Sequence, residues 1–132
     1  MPETFHNPNL DRVAEFHETF GHPIHPAPHI TDEDLNRLRL RLIREETDEL
    51  EEALWQADPV ATLDALTDLQ YVLDGAFIAL GFAHLKRDAA AEVHRSNMSK
   101  AGADGRPIYD EGGKVLKGPN YTPPNLAQFL EA

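Results

Sequence analysis

Apolar residues recur along this chain at spacings that predict helices, separated by proline- and glycine-rich breaks. Between Asn9 and Phe20, Val13, Phe16 and Phe20 share one helical side, and Gly21 supplies the stop. His22 to Ile30 predicts a loop, because Pro23, Pro26 and Pro28 remove backbone donors. Thr31 is placed as the cap of a long second helix. Asp32, Glu33 and Asp34 then fall in its first turn, where the helix dipole favours negative charge. This helix is expected to reach about Ala57. Asp58 followed by Pro59 combines a cap with a proline at the first helical position, so a third helix starts there and continues to Gly81 or Phe82. A fourth is expected over His84–Ala101, ended by Gly102. The remainder leaves room for a hairpin around Tyr109–Val115 and a short helix near Asn125–Leu130. The pattern predicts a single all-α domain over 1–132, a bundle of about four main helices. Its core motifs lie at 34–101 and a loop-rich tail occupies 102–132.

The second helix carries acid on its apolar side. At about 100° per residue, Leu35, Leu38, Leu42, Ile43, Leu50, Ala53 and Leu54 form one stripe. Of the six carboxylates at 45–52, Glu46 falls near the middle of that stripe, Glu49 within it and Glu45 on its edge. Asp48 and Glu51 point away, and Glu52 lies past the margin. An acidic run is ordinarily a solvated face. Here a subset is aimed at the core instead, spaced to stack on adjacent turns. Ionised carboxylates crowded in a low-dielectric groove repel one another and are costly to desolvate. Proton uptake, basic partners or a bound cation must compensate. Arg39, Arg41 and Arg44 share the helix, but most project from other faces. The third helix offers Asp64 and Asp68, four residues apart on one face, near Tyr71, Gly75 and Phe82. A cluster of hard oxygen donors suits Mg²⁺, with Mn²⁺ as substitute, better than zinc.

Composition narrows the classes. The net charge is −11 over 132 residues, which argues against a nucleic-acid surface, since phosphate binding needs clustered Lys and Arg. The charge is split: residues 1–83 carry five basic against 17 acidic groups, and residues 84–132 carry seven against six. The most apolar stretch, Val60–Phe82, is broken by Asp64, Asp68, Gln70 and Asp74, so it predicts a buried helix and no membrane span. Cysteine is absent, which excludes disulfides and thiolate metal sites. No signal pattern is seen at Met1–Leu10, and a cytoplasmic location is expected.

The segment IREETDELEE, followed by DALTDLQYVLDGAFIALG, resembles the all-α nucleotide pyrophosphohydrolases. This MazG-like superfamily includes dimeric dUTPases and phosphoribosyl-ATP pyrophosphatase. Its paired motifs are EExxE and, on the next helix, ExxD. Glu45, Glu46 and Glu49 match the first, and Asp68 matches the terminal acid of the second. Ala65 stands where the second motif has glutamate, with Asp64 one residue earlier as the available substitute. The stretch from Glu92 to Leu126, beginning EVHRSNMSK, resembles the C-terminal part of phage and bacterial members, and the likeness covers roughly residues 34–125.

The resemblance implies Mg²⁺-dependent hydrolysis of a nucleoside triphosphate, of the deoxynucleoside kind, to monophosphate and pyrophosphate. It implies Glu45, Glu46, Glu49, Asp68 and Asp64 as metal ligands, with Glu46 also orienting or deprotonating the attacking water. Arg95, Asn97 and Lys100 would meet substrate, and Lys117, with Lys114, would close over phosphates from the tail. His22, His25 and His29 match no usual metal spacing, a lid being the better reading of their loop. Trp55 and Tyr121 are expected as packing groups. An intertwined homodimer is expected, because one chain has little area to cover both faces of the third helix, where Leu66, Leu69, Leu73, Phe77 and Leu80 lie opposite the acids. The alternatives are phosphoribosyl-ATP pyrophosphatase activity, or a non-catalytic helical dimerisation module on the same fold.

Overall fold

A computed structural model describes residues 4–130. It is all-α, with four helices and no strands among the described residues: α1 (Pro8–Phe20), α2 (Glu33–Trp55), α3 (Pro59–Ala79) and α4 (Lys86–Met98). Single turns of 3₁₀ helix lie at Ala83–Leu85 and Ala127–Phe129. No single helix among these residues is long and apolar enough to cross a membrane. The chain divides into two compact units, one through His84 and one from Leu85 onward.

In the first unit the caps explain the boundaries. The Asn7 side chain accepts from Leu10 N, Pro8 opens α1, and Gly21 closes it in the left-handed region at φ 72°. Asp32, not Thr31, caps α2, its carboxylate accepting from Leu35 N at 3.1 Å. Both residue types cap well, and the sequence pattern alone does not choose between neighbours. Asp58 caps α3 as expected, accepting from Val60 N and Ala61 N. Only Gln56, Ala57 and Asp58 separate α2 from α3, with Ala57 at φ 52°. So tight a turn returns the chain as an antiparallel helical hairpin.

The apolar core of this unit is Leu10, Val13 and Ala14 of α1 with Ile78 and Ala83. Burying side chains such as Leu10, Val13 and Ile78 stabilises the fold by about 1.5–3 kcal/mol each. Phe16 and Phe20, expected in this core, are instead 38% and 65% exposed. The buried side of α1 runs through Leu10, Val13, Ala14 and His17, so a histidine occupies the place the aromatic spacing suggested for phenylalanine. His17 satisfies its buried ring by donating from Nδ1 to Pro23 O at 2.9 Å.

The proline-rich loop covers the end of α3. His25 N donates to Ile78 O at 3.1 Å, His25 Nδ1 to Ala79 O at 2.7 Å and His29 N to Leu80 O at 2.9 Å. These bonds satisfy carbonyls that a helix terminus leaves without partners. The His25 and His29 rings stack at 3.9 Å. Gly81 completes the junction: at φ 86°, a Cβ there would sit 1.9 Å from Ala27 O.

The second unit contains α4 and the tail. Its helix is shorter than the expected His84–Ala101, beginning only after the 3₁₀ turn and ending at Met98, so Lys100 lies beyond it. The tail straps onto α4, with Ser96 donating to Thr122 O at 2.8 Å and Gly118 N to Lys100 O at 2.9 Å. The expected hairpin is present as an isolated antiparallel bridge, Tyr109 to Val115.

Gly81→Ala is expected to destabilise the protein by on the order of 2–4 kcal/mol, combining left-handed backbone strain with the clash at Ala27. Urea denaturation followed by circular dichroism measures this, and a change below about 1 kcal/mol would contradict the loop–helix junction described.

Candidate metal and catalytic site

The hairpin turn lays α3 against the apolar side of α2, and the acids on that side meet. One carboxylate oxygen from each of Glu46, Glu49 and Asp68 lies within 4.8 Å of the others. Glu46 and Glu49 are one turn apart on α2, and Asp68 reaches them from α3. Glu46 and Asp68 are half-buried, while Glu49 is exposed at the rim. No other group of three or more potential ligands is found among the described residues. His25 and His29 bond the end of α3, and the His22 ring accepts from Arg39.

Crowding shows in the proton affinities. Burial raises the Glu46 pKa most, followed by a hydrogen bond with Glu49 and the charges of Glu49, Asp68 and Asp64, which together push it up to about 7. Asp68 is raised as well, by burial first and then by Asp64 and Glu49. Asp64 itself is exposed and stands outside the close group, acting on it through its field. Glu45 is also outside: its carboxylate is exposed and faces Arg41 at 3.6 Å. The structure thus brings together Glu46, Glu49 and Asp68, and leaves Glu45 and Asp64 at their margins.

Among the described residues no Lys or Arg pairs with the three clustered acids. Glu46 Oε2 is buried and has no hydrogen-bond partner. A buried charged oxygen left alone is costly. An orphaned oxygen, two neighbouring carboxylates and no sulfur or imidazole donor fit a hard divalent cation.

Sequence reasoning passed over a second polar layer. Arg39 lies on the same side of α2 as Glu46, seven residues earlier and so about 10 Å along the axis. It is only 4% exposed, donates to His22 Nδ1 at 2.7 Å, and leaves its Nε unpaired. Burial lowers the pKa of Arg39, and burial foremost lowers that of His17, with Arg39 and His22 adding to the latter effect. Gly75 makes the space: a Cβ there would lie 3.0 Å from the Arg39 guanidinium and 3.2 Å from His17 Nε2. The seven-residue interval from Arg39 to Glu46 was the available signal. Asp74, fully buried and bonded by Asn9, was likewise read only as a break in an apolar stretch.

The other expected contacts belong to the second unit. Arg95 donates to Glu92 at 2.7 and 3.1 Å, to Thr122 at 2.6 Å and to Pro123 O at 3.2 Å. Its guanidinium is committed to the tail strap. The Arg95 hydrogen bond, with the backbone bond from Asn125, draws the Glu92 pKa down to about 2. Asn97 is exposed, Lys100 is half-buried past the helix end, and Lys117 sits 4.9 Å over the Tyr121 ring. Trp55, expected to pack, is 82% exposed.

A family model described as phosphoribosyl-ATP pyrophosphohydrolase matches residues 13–97. That span holds every clustered acid and stops short of Lys100 and Lys117. An uncharacterised protein of Acanthamoeba polyphaga mimivirus is 41% identical over 71 residues, covering 51% of this chain and 28% of that protein. The matched stretch is thus little more than a quarter of the relative's length.

The raised Glu46 pKa makes metal-free stability depend on pH. The folded protein holds this proton more tightly than the unfolded chain, so the stabilisation is present below pH 4.5 and is lost as pH rises to about 7. Glu46→Gln is expected to melt higher than the parent at about pH 8 in chelator, the gap closing toward about pH 5. Thermal melts across that range check it; a gap independent of pH would contradict the crowding.

Proposed function

The chain belongs to the phosphoribosyl-ATP pyrophosphohydrolase family, and on that premise we propose that it hydrolyses a nucleoside triphosphate to monophosphate and pyrophosphate with Mg²⁺. The convergence of Glu46, Glu49 and Asp68 around an unpartnered buried oxygen carries this reading. Glu49, Asp68 and Glu46 would hold the cation, with Glu45 and Asp64 outside the close group. A bound Mg²⁺ neutralises charge on phosphate oxygens and makes nearby water more acidic.

The chain's own part is positional and basic. Water adds to the α-phosphorus, the bond from that phosphorus to the bridging oxygen breaks, and pyrophosphate departs. The proton released by the water goes to Glu46, whose free Oε2 is the open acceptor. Within the second unit, Arg95 serves by fixing the strap that carries the tail. The family description itself favours a second substrate, phosphoribosyl-ATP, whose α–β anhydride is the same bond.

Val60, Leu63, Leu66 and Leu73 are 78, 67, 50 and 36% exposed along α3. Soluble proteins seldom leave such a row uncovered, which supports a homodimer joined through this face. Light scattering at micromolar concentration should give at least twice the chain mass, and a monomer would contradict the pairing.

Incubation with a panel of nucleoside triphosphates and phosphoribosyl-ATP, with product analysis, tests the activity. Pyrophosphate release should stop in chelator and return with Mg²⁺. Glu46→Gln should lower kcat by at least about a hundredfold, while Glu45→Ala should cost much less. Turnover that survives chelator and Glu46→Gln alike would overturn the reading, and no turnover on any nucleotide would favour the non-catalytic module.

A further inference from the structure

The side of α2 facing away from Glu46 carries its charges in two blocks. At about 100° per residue, Arg37, Arg41 and Arg44 share one stripe with Asp48, Glu51, Glu52 and Trp55. All of these are exposed. After the acidic first turn, bases therefore fill the N-terminal half and acids the C-terminal half. The helix dipole favours the opposite order, so the helix's own stability does not account for the pattern. Arg37 is matched locally by Glu33 and Asp34, and Arg41 by Glu45. Arg44 makes no ion pair among the described residues, although Asp48 is one turn away. Arg37, Leu40, Arg41 and Arg44 also line an open groove, together with Asp34 and Leu38. At the acidic end stands Trp55, a large aromatic ring left 82% exposed.

We propose that this stripe docks the same stripe of a second copy, the two α2 helices running antiparallel about a two-fold axis near residues 46–47. In that register Arg44 faces Asp48 and Glu51 of the second copy, Arg41 faces Glu52, and Arg37 lies over Trp55. Two-fold symmetry makes every contact twice. The outermost pair, Arg37 with Trp55, is a guanidinium on an indole face, the favoured cation–π combination. A parallel pairing would set arginine against arginine. An acidic peptide or a nucleic acid would satisfy the arginines and be repelled by Asp48, Glu51 and Glu52. Only a partner with the same two blocks in reverse order complements the whole stripe, and a second copy is such a partner. The surface is separate from the apolar α3 row and does not depend on the enzymatic reading. Exposed ion pairs are individually weak and screened by salt, so the contact should be salt-labile.

Two variants test this. Arg37→Glu with Arg44→Glu leaves Arg41 as the stripe's one base; Asp48→Arg with Glu51→Arg leaves Glu52 as its one acid. Each alone should sediment at a lower mass than the parent in about 0.05 M salt, and an equimolar mixture should recover the parent mass. Raising salt to about 0.5 M should bring the parent down to the mass of the variants. Circular dichroism and thermal melts on the same samples check that the fold is intact. Equal masses for the parent and both variants, or a mixture that stays at the variants' mass, overturns the proposal. An acidic peptide that binds the parent without changing its self-association also overturns it.

Discussion

Carboxylates of like charge are held together on the inner side of a helical hairpin, and the chemistry proposed for the protein follows from that one constraint. Glu49 lies close enough to raise the proton affinity of both Glu46 and Asp68, yet among the described residues no basic side chain pairs with the three. A hairpin selected for stability alone would carry apolar groups at these positions, because like charges half-withdrawn from water weaken the fold. Helix propensity, the Asp58 cap and the short turn supply the stability that tolerates the cluster.

The one buried cation of the hairpin is kept out of reach. Arg39 shares the inner face of α2 with Glu46, but two turns separate them, and the guanidinium is engaged with His22. Had the arginine stood a single turn from Glu46, an internal ion pair would have quenched the acids. The spacing instead gives the groove one positive and one negative layer. Gly75, which leaves no side chain between α3 and Arg39, is what admits the positive layer at all. Gly75 thus matters to a charge balance that it does not itself carry.

Most of the helical frame was legible in the sequence, because its signals are local. The Asp58–Pro59 start, the Gly21 stop and the inward set of Glu46, Glu49 and Asp68 each depend on neighbours within a turn or two. What escaped was set by distant partners. Phe16 and Phe20 satisfy helical periodicity, but α3 meets α1 on the side of Leu10, Val13, Ala14 and His17, so the aromatic rings stay outside. Trp55 has the chemistry of a core residue, yet it stands exposed at the end of α2. Arg95 has the chemistry of a phosphate ligand; its partners Thr122 and Pro123 come from far along the chain, and no local pattern reveals them. Glu45 matches its motif residue for residue, yet Arg41, one turn back, draws it to the outer side.

The histidine–proline loop bears on the acids at a distance. By bonding Ile78, Ala79 and Leu80 it fixes the far end of α3 against sliding along its own axis. Asp68 rides on the same rod, roughly 15 Å away by helical rise. A helix is stiff in that direction, so a hold at its far end also acts on the aspartate. The depth at which the two sets of oxygens meet is therefore held from both ends of α3, by the Gln56–Asp58 turn and by a loop that stands well away from them.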